Sequence, residues 1–506
     1  MPSVATSPSP APARNRVSIR TLLLVAAAIC TGVGLFCWYT GALGSFASWQ
    51  IGALLVCLCL LNAAPFVLEV ATRTFDPFDP KHVFLAYFFI VFTFHSLCRT
   101  TLGIGTNPAL ATPEPSDDLR VRALSAIALG LGGFIAGCYL PGGRLAGRLA
   151  PRLPMLDRRR GHLAAALGIS AGLAAFILLM KAAGGNGAFL AYLGTWRTSV
   201  VIAGVGYLTF PIAIVLPASA LLLLLQHLPR APKKISWAAV ATILLYLGSL
   251  APVIVLGFRG NLLPAILQFL AAWHYGRRRL RVLAVGMIAA VLLLFLSVYG
   301  VIRSVAGGET RETNALATAV LFRVPGLDTV ERVIARLDRG EPHRGIKPGL
   351  IEAATILVPR SVWAGKPEPA SLAFADIFFF DFFLERGDPL DGVKSGVSPT
   401  LVAEMLWIGG LPGVALAGWM LGTLVTAINT WRQRAPHHPL HILVGAIFMG
   451  WFAIFVEAPQ NTLNTFVMLT AFCLGLALVL TFRLRRRPAR SVSALGLPAE
   501  AGATTT

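Results

Sequence analysis

The sequence predicts an all-α, polytopic integral membrane protein, and three observations carry that prediction. Of the 506 residues, 56% are hydrophobic and only 13% are charged, against about a quarter charged in an ordinary soluble domain. The apolar residues come in long blocks, such as 22–35, 163–180 and 282–298, which can satisfy their backbone groups in hydrocarbon only as helices. The formal net charge of +20 is spread unevenly along the chain. Disordered, fibrous and ordinary soluble folds are excluded.

Residues 1–18 open with a Pro/Ser/Ala-rich run and carry two arginines, Arg14 and Arg16, with Arg20 just beyond, the composition of a disordered cytoplasmic tail. Twelve apolar stretches of roughly spanning length follow, at about 19–40, 46–68, 82–101, 121–140, 162–182, 200–226, 236–257, 261–276, 282–302, 408–430, 440–456 and 463–482. The first is too long for a cleaved signal region and reads as a signal anchor. Residues 19–302 thus hold transmembrane helices 1–9, 303–400 a large external loop, 401–482 helices 10–12, and 483–506 a basic cytoplasmic tail. Placing both termini in the cytoplasm puts 25 of the 43 Lys and Arg inside with about five acids, and leaves 18 bases and 18 acids outside. That satisfies the positive-inside rule, so the basic charge reports topology and no nucleic-acid partner is expected. The seven cysteines lie in or beside spans without a disulfide framework or metal-ligand spacing. His437, His438 and His441 read as a solvated loop, and no metal or cofactor is expected.

The loop at 303–400 is too long for a simple connection, and it carries 12 bases against 13 acids. Asp328-x-x-Glu331 resembles a capping box. Val330, Val333, Ile334 and Leu337 then recur at helical spacing up to Gly340. An amphipathic helix lying on an apolar surface is expected there. Residues 370–386, with six phenylalanines interrupted by Asp376, Asp381 and Glu385, read as an interfacial or re-entrant helix, or as a helix covering the bundle.

Ionisable residues are costly in lipid, and here they gather near outer span ends: His95, Arg99, Lys181, Arg197, Arg259, Arg303, Glu404 and Glu457. Glu69 lies instead near an inner end. For Arg99 and Lys181, snorkelling to the interface is the favoured reading. The shared location of the others points to a polar external site. Many arginines with few metal-type ligands suit an anionic group such as a diphosphate. Candidate segments are the Phe258–Asn261 turn, the run Pro359–Pro367 with Arg360, Trp363 and Lys366, and Ser398-Pro399-Thr400 ahead of Glu404. Aromatic rings such as Trp363 stack on sugar faces, and a carboxylate or imidazole could deprotonate a hydroxyl.

These segments resemble the bacterial oligosaccharide repeat-unit polymerases, the Wzy-type or O-antigen polymerase family, over roughly residues 181–482. The match rests on Arg197 before a Gly-rich span, FRGN at 258–261, PRSVWAGKPEP at 359–369 and GVSPTLVAEMLWIGGLPG at 396–413. The resemblance implies a glycosyltransferase of the bacterial cytoplasmic membrane that uses no nucleotide sugar. Its partners would be the lipid bilayer and polyprenyl-diphosphate-linked glycans as donor and acceptor, and it admits a chain-length regulator. On that basis Arg259 and Arg360 are expected to act with Glu404 in catalysis, Glu404 as base with His95 and Glu457 as substitutes. Arg197, Arg303, Trp363, Lys366, Ser398, Glu457, Gln460 and Asn461 are expected to bind substrate, and Asn464 to bond sugar hydroxyls or to cap the last span. The competing classes are an O-antigen-ligase-like transferase and a lipid-linked oligosaccharide flippase or transporter.

Overall fold

The computed structural model describes residues 19–40, 47–102, 116–151, 153, 157–182, 184–185, 208–228, 236–255, 259–277, 280, 326–355, 358, 362–363, 365–367, 370–374, 377–378, 399–457 and 459–481. Among them the chain is helical and no strand occurs. The helices are α1 Ile19–Thr40, α2 Ala47–Ala71, α3 Pro80–Phe88, α4 His95–Leu102, α5 Asp117–Tyr139, α6 Pro141–Leu149, α7 Arg158–Ala182 and α8 Leu216–His227. They continue with α9 Trp237–Ser249, α10 Ala251–Val255, α11 Arg259–Gly276, α12 Gly326–Asp338, α13 Lys347–Ala354, α14 Leu401–Gln433, α15 Pro439–Phe455 and α16 Pro459–Thr481. Two π-helical turns join the set, Phe89–Phe94 between α3 and α4, and Pro211–Val215 ahead of α8.

Among the described residues, six helical stretches are long and apolar enough to cross a membrane: Trp49–Ala71, Pro80–Thr101, Asp117–Tyr139, Arg158–Ala182, Trp237–Ile254 and Leu401–Gln433. The protein is therefore a helical membrane protein by length and composition. Helix starts follow local chemistry. Ser116 and Ser236 accept backbone bonds from Leu119 and Ala239, both at 3.2 Å, and Asp79 caps Lys81 N–H at 3.1 Å ahead of Pro80. Leu140 turns extended before Pro141, which ends α5 and starts α6. The stretch read as one span at 236–257 is two helices, α9 and α10, parted at Leu250. The stretch at 200–226 is described only from residue 208, and the stretch at 282–302 lies outside the described residues, as do both tails.

The centre of the bundle is α5, whose apolar window is 83% buried, whereas that of α7 is 28% buried. It packs against α1, α2 and, above all, α14. That last seam is made by small residues, the means by which membrane helices approach closely. A Cβ at Gly133 would sit 2.6 Å from the Ala415 carbonyl oxygen, and one at Gly143 2.6 Å from that of Thr423. Gly130 meets Val414 and Gly147 meets Ala427. Residue numbers rise together along the seam, so α5–α6 and α14 run parallel.

Helix α14 is not continuous. Gly409 (φ −149°, ψ 20°) and Gly410 (φ 63°, ψ −159°) are non-helical, and Gly410 takes a positive φ that a Cβ would disfavour. The segment 401–408 is therefore a separate half-helix, and both Val402 and Val414 reach Gly130. The span expected at 408–430 begins at this break.

Candidate functional site

The polar end of the bundle away from α6 is closed by α12. Its first residue, Gly326, lies against the Val91 carbonyl of the π-helical turn, where a Cβ would collide. Val330, Val333 and Ile334 are buried, as the periodicity predicts. The capping-box reading is corrected. Helix α12 starts at Gly326, so Asp328 lies in its first turn, and both Asp328 and Glu331 are fully buried. Arg99 bridges them, paired to Asp328 and 2.7 Å from Glu331, with Arg120 3.8 Å from the other Glu331 oxygen. Arg99 therefore does not snorkel. It is a buried partner, because an unpaired carboxylate pair there would be too costly. Lys181 is exposed in the last turn of α7. Burial and the Asp328 charge push the Glu331 carboxyl up to about 7, against the opposing pull of Arg99 and Arg120.

Three sequence-predicted groups meet around this junction. His95 is fully buried with Nε2 3.9 Å from Asp328. Thr329 of α12 bonds Thr400 at 2.9 Å, directly ahead of the half-helix that carries Glu404, itself fully buried. The half-helix is tied to the end of α15 by Leu401 N–H donating to the Val456 carbonyl at 2.9 Å. Beside it Glu457 accepts a 2.6 Å bond from the Tyr87 hydroxyl.

A second polar cluster lies on the far end of the half-helix. Glu352 of α13 is buried and accepts 2.8 Å from Asn464 Nδ2 and 3.3 Å from Ala370 N–H, with Arg344 3.9 Å away. Burial holds its carboxyl above the ordinary value despite those donors. Asn464 is thus engaged with Glu352 rather than capping the last helix. The Arg344 guanidinium stacks over Trp407, 5.2 Å to the ring centre, and the Arg344 backbone N–H donates to the Trp407 carbonyl at 3.0 Å. Phe374 and Phe378 are fully buried with their rings 5.7 and 5.3 Å from Trp407. The described part of the Phe-rich segment therefore covers the bundle. Lys366 donates to the Thr355 and Val358 carbonyls at 2.8 and 3.1 Å, closing the end of α13, while Trp363 is 40% exposed.

Arg197, Arg303, Arg360 and Ser398 lie outside the described residues. Arg259 opens α11, and Gln460 and Asn461 sit in the first turn of α16. No family model matches this sequence, and neither a curated protein nor a solved structure does. Among the described residues there is no cluster of three or more His, Cys, Asp or Glu able to hold a metal. The histidines at 437–441 are not all solvated as expected: His437 is exposed, but His438 and His441 are buried, and His441 stacks on Trp431 with 4.0 Å between ring centres.

Sequence reasoning missed Glu352, Arg344, Asp328 and Glu331 as site-building charges. The loop's near-equal acids and bases were the available signal. Chemically, the junction offers one buried carboxylate on a broken helix, Glu404, and two more with raised proton affinity on α12 and α13, Glu331 and Glu352, beside the cations Arg99 and Arg344. Such groups can hold or move a proton at a polar, partly enclosed surface.

Proposed function

We propose that this chain is a membrane glycosyltransferase that polymerises polyprenyl-diphosphate-linked oligosaccharide repeat units at the outer face of the cytoplasmic membrane. The topology proposed is twelve spans with both termini in the cytoplasm. Parallel packing of α5 and α14 supports it, since parallel spans require an odd number of crossings between them. The twelve-span order places five there.

The observation that carries the reading is Glu404, fully buried on a half-helix that breaks at Gly409–Gly410 inside the segment that resembles the polymerase family. In the proposed step an acceptor hydroxyl attacks the donor's anomeric carbon. Its proton passes to the Glu404 carboxylate as the new C–O bond forms. The anomeric C–O bond to the lipid diphosphate breaks, and the leaving group keeps the electron pair. Preorganised cations at that leaving group would lower the barrier most, a role proposed for Arg259 and Arg360 with Arg197 and Arg303 in support. Trp363 is proposed to stack on a sugar ring, with Ser398, Glu457, Gln460 and Asn461 as further binding groups. Lys366 is proposed to act by holding the Thr355 and Val358 carbonyls at the end of α13. Glu352 joins Glu404 as a candidate proton carrier.

The test is purified protein with a lipid-linked repeat unit, with and without chelator. A ladder of polymer that Glu404→Gln and Arg360→Lys abolish supports the proposal. Polymer moved to a different lipid or protein acceptor would indicate a ligase. A second reading, as a transporter of lipid-linked oligosaccharide, is favoured by the break in α14, because discontinuous helices build transporter sites. Translocation without glycosidic bond formation in the same vesicles would establish it and overturn the first.

A further inference from the structure

At the opposite end of the bundle, α2, α3, α5, α6 and α14 enclose a cavity of about 380 Å3. Helix α5, at 23 residues, separates it from the junction above by roughly 35 Å at 1.5 Å per residue. One wall is acidic but already satisfied. Lys81 lies 2.5 Å from Glu69 and 3.3 Å from Asp79. Tyr139 donates to Glu69 at 3.1 Å, and Asn429 to Asp79 at 2.7 Å. Asp76 accepts from the Tyr275 hydroxyl at 2.8 Å and lies 3.5 Å from His274.

The other wall is different in kind. Arg144, Arg148, Thr430 and Gln433 line the cavity and make no side-chain hydrogen bond or ion pair among the described residues. All four can donate, and two are permanent cations. The helix that carries the arginines has three faces. Gly143 and Gly147 press on the α14 backbone, Arg144 and Arg148 stand one turn apart on the cavity side, and Leu145 and Leu149 are 59% and 76% exposed. A cationic face beside an exposed aliphatic face suits a ligand that is anionic at one end and apolar at the other.

We propose that this cavity binds the phosphate-ester headgroup of an anionic membrane lipid, its acyl chains lying along Leu145 and Leu149. Arg144 and Arg148 hold the phosphate by charge-assisted bonds, and Thr430 and Gln433 supply further donors. The site is independent of any glycosyl transfer, and its assay reads lipid retention rather than polymer.

The experiment uses the full chain in a neutral maltoside detergent, with retained lipid counted by native mass spectrometry and the unfolding transition followed by heating. Phosphatidylglycerol, phosphatidylcholine and inorganic phosphate are added in separate arms. Phosphatidylglycerol is expected to stay bound and to raise the transition. The double variant Arg144→Gln with Arg148→Gln is expected to bind it about tenfold more weakly. Arg158→Gln with Arg159→Gln, on α7 and not lining the cavity, is expected to bind as the parent does. Thr430→Val with Gln433→Leu keeps both cations and is expected to weaken retention, which supplies a second test should the arginine variant fold poorly. Equal retention by the parent and either cavity variant would overturn the proposal. So would equal protection by phosphatidylcholine. Full protection by inorganic phosphate, with no gain from the lipid, would assign the site to a free anion and overturn the lipid.

Discussion

The α5–α14 seam makes a prediction that can be worked from distances. Replacing Gly133 by Ala puts a methyl 2.6 Å from the Ala415 carbonyl oxygen and 3.3 Å from Trp419 N, whereas ordinary contact begins near 3.4 Å. Both neighbours are helix backbone and cannot rotate away, so the seam must open by about 0.8 Å. Such a gap forfeits a quarter to a half of each contact's dispersion energy along the neighbouring residues. Overpacking of this kind costs about 1–3 kcal/mol. Against it stands the better helix propensity of Ala, about 1 kcal/mol in water. The net expectation is a loss of about 1 kcal/mol, taking about 2 kcal/mol for the overpacking against about 1 for the propensity. The assay is thermal unfolding in detergent, with Gly52→Ala as control, since no atom lies within 4 Å of a Cβ there. The control should be neutral or slightly stabilising. A Gly133→Ala transition equal to the parent's, with the control also unchanged, would refute the seam as a determinant of stability.

Other outcomes follow from the same geometry. Arg99→Met leaves Asp328 and Glu331 buried together without their shared cation, and should cost about 3–5 kcal/mol in thermal unfolding; adding Glu331→Gln should recover part of it. Glu331 has its carboxyl raised from 4.5 to about 7, so between those values the folded chain holds a proton that the unfolded chain has released. Its contribution to stability is therefore present below pH 4.5 and is lost as pH rises through 7. Comparing parent and Glu331→Gln from pH 5 to 8 should show a slope in the parent that the variant lacks. Lys366→Met should destabilise by about 1–2 kcal/mol through two uncapped carbonyls. Trp363→Ala, at an exposed ring, should leave the transition unchanged while lowering any glycan-transfer rate.

How much could be seen beforehand differs from one element to another. Residues 19–40, read as one apolar run, are helical throughout as α1, because hydropathy and backbone satisfaction in lipid are local properties. The apolar spacing of Val330, Val333 and Ile334 likewise marked a buried face. Asp328 and Glu331 were misread because an i, i+3 acid pair looks the same whether it caps a helix or holds a distant cation. Their partner Arg99 sits on another helix that no local pattern connects to them. Asn464 and Glu352 are 112 positions apart, yet they form one of the buried bonds that organise the candidate site. The histidine at 441 was read as solvated because its neighbours are polar, and only the fold brings Trp431 over it.

By itself, then, the sequence determined the membrane class, the helical content and the places where most helices run. Those follow from one physical demand, that every backbone amide in hydrocarbon be bonded within its own segment. Tertiary structure alone decided which charges are buried, which are paired and which are left facing a cavity. Burial and pairing are properties of two elements at once: Arg99 gains its meaning from α12, and Arg144 and Arg148 theirs from the α6 glycines that dock on α14.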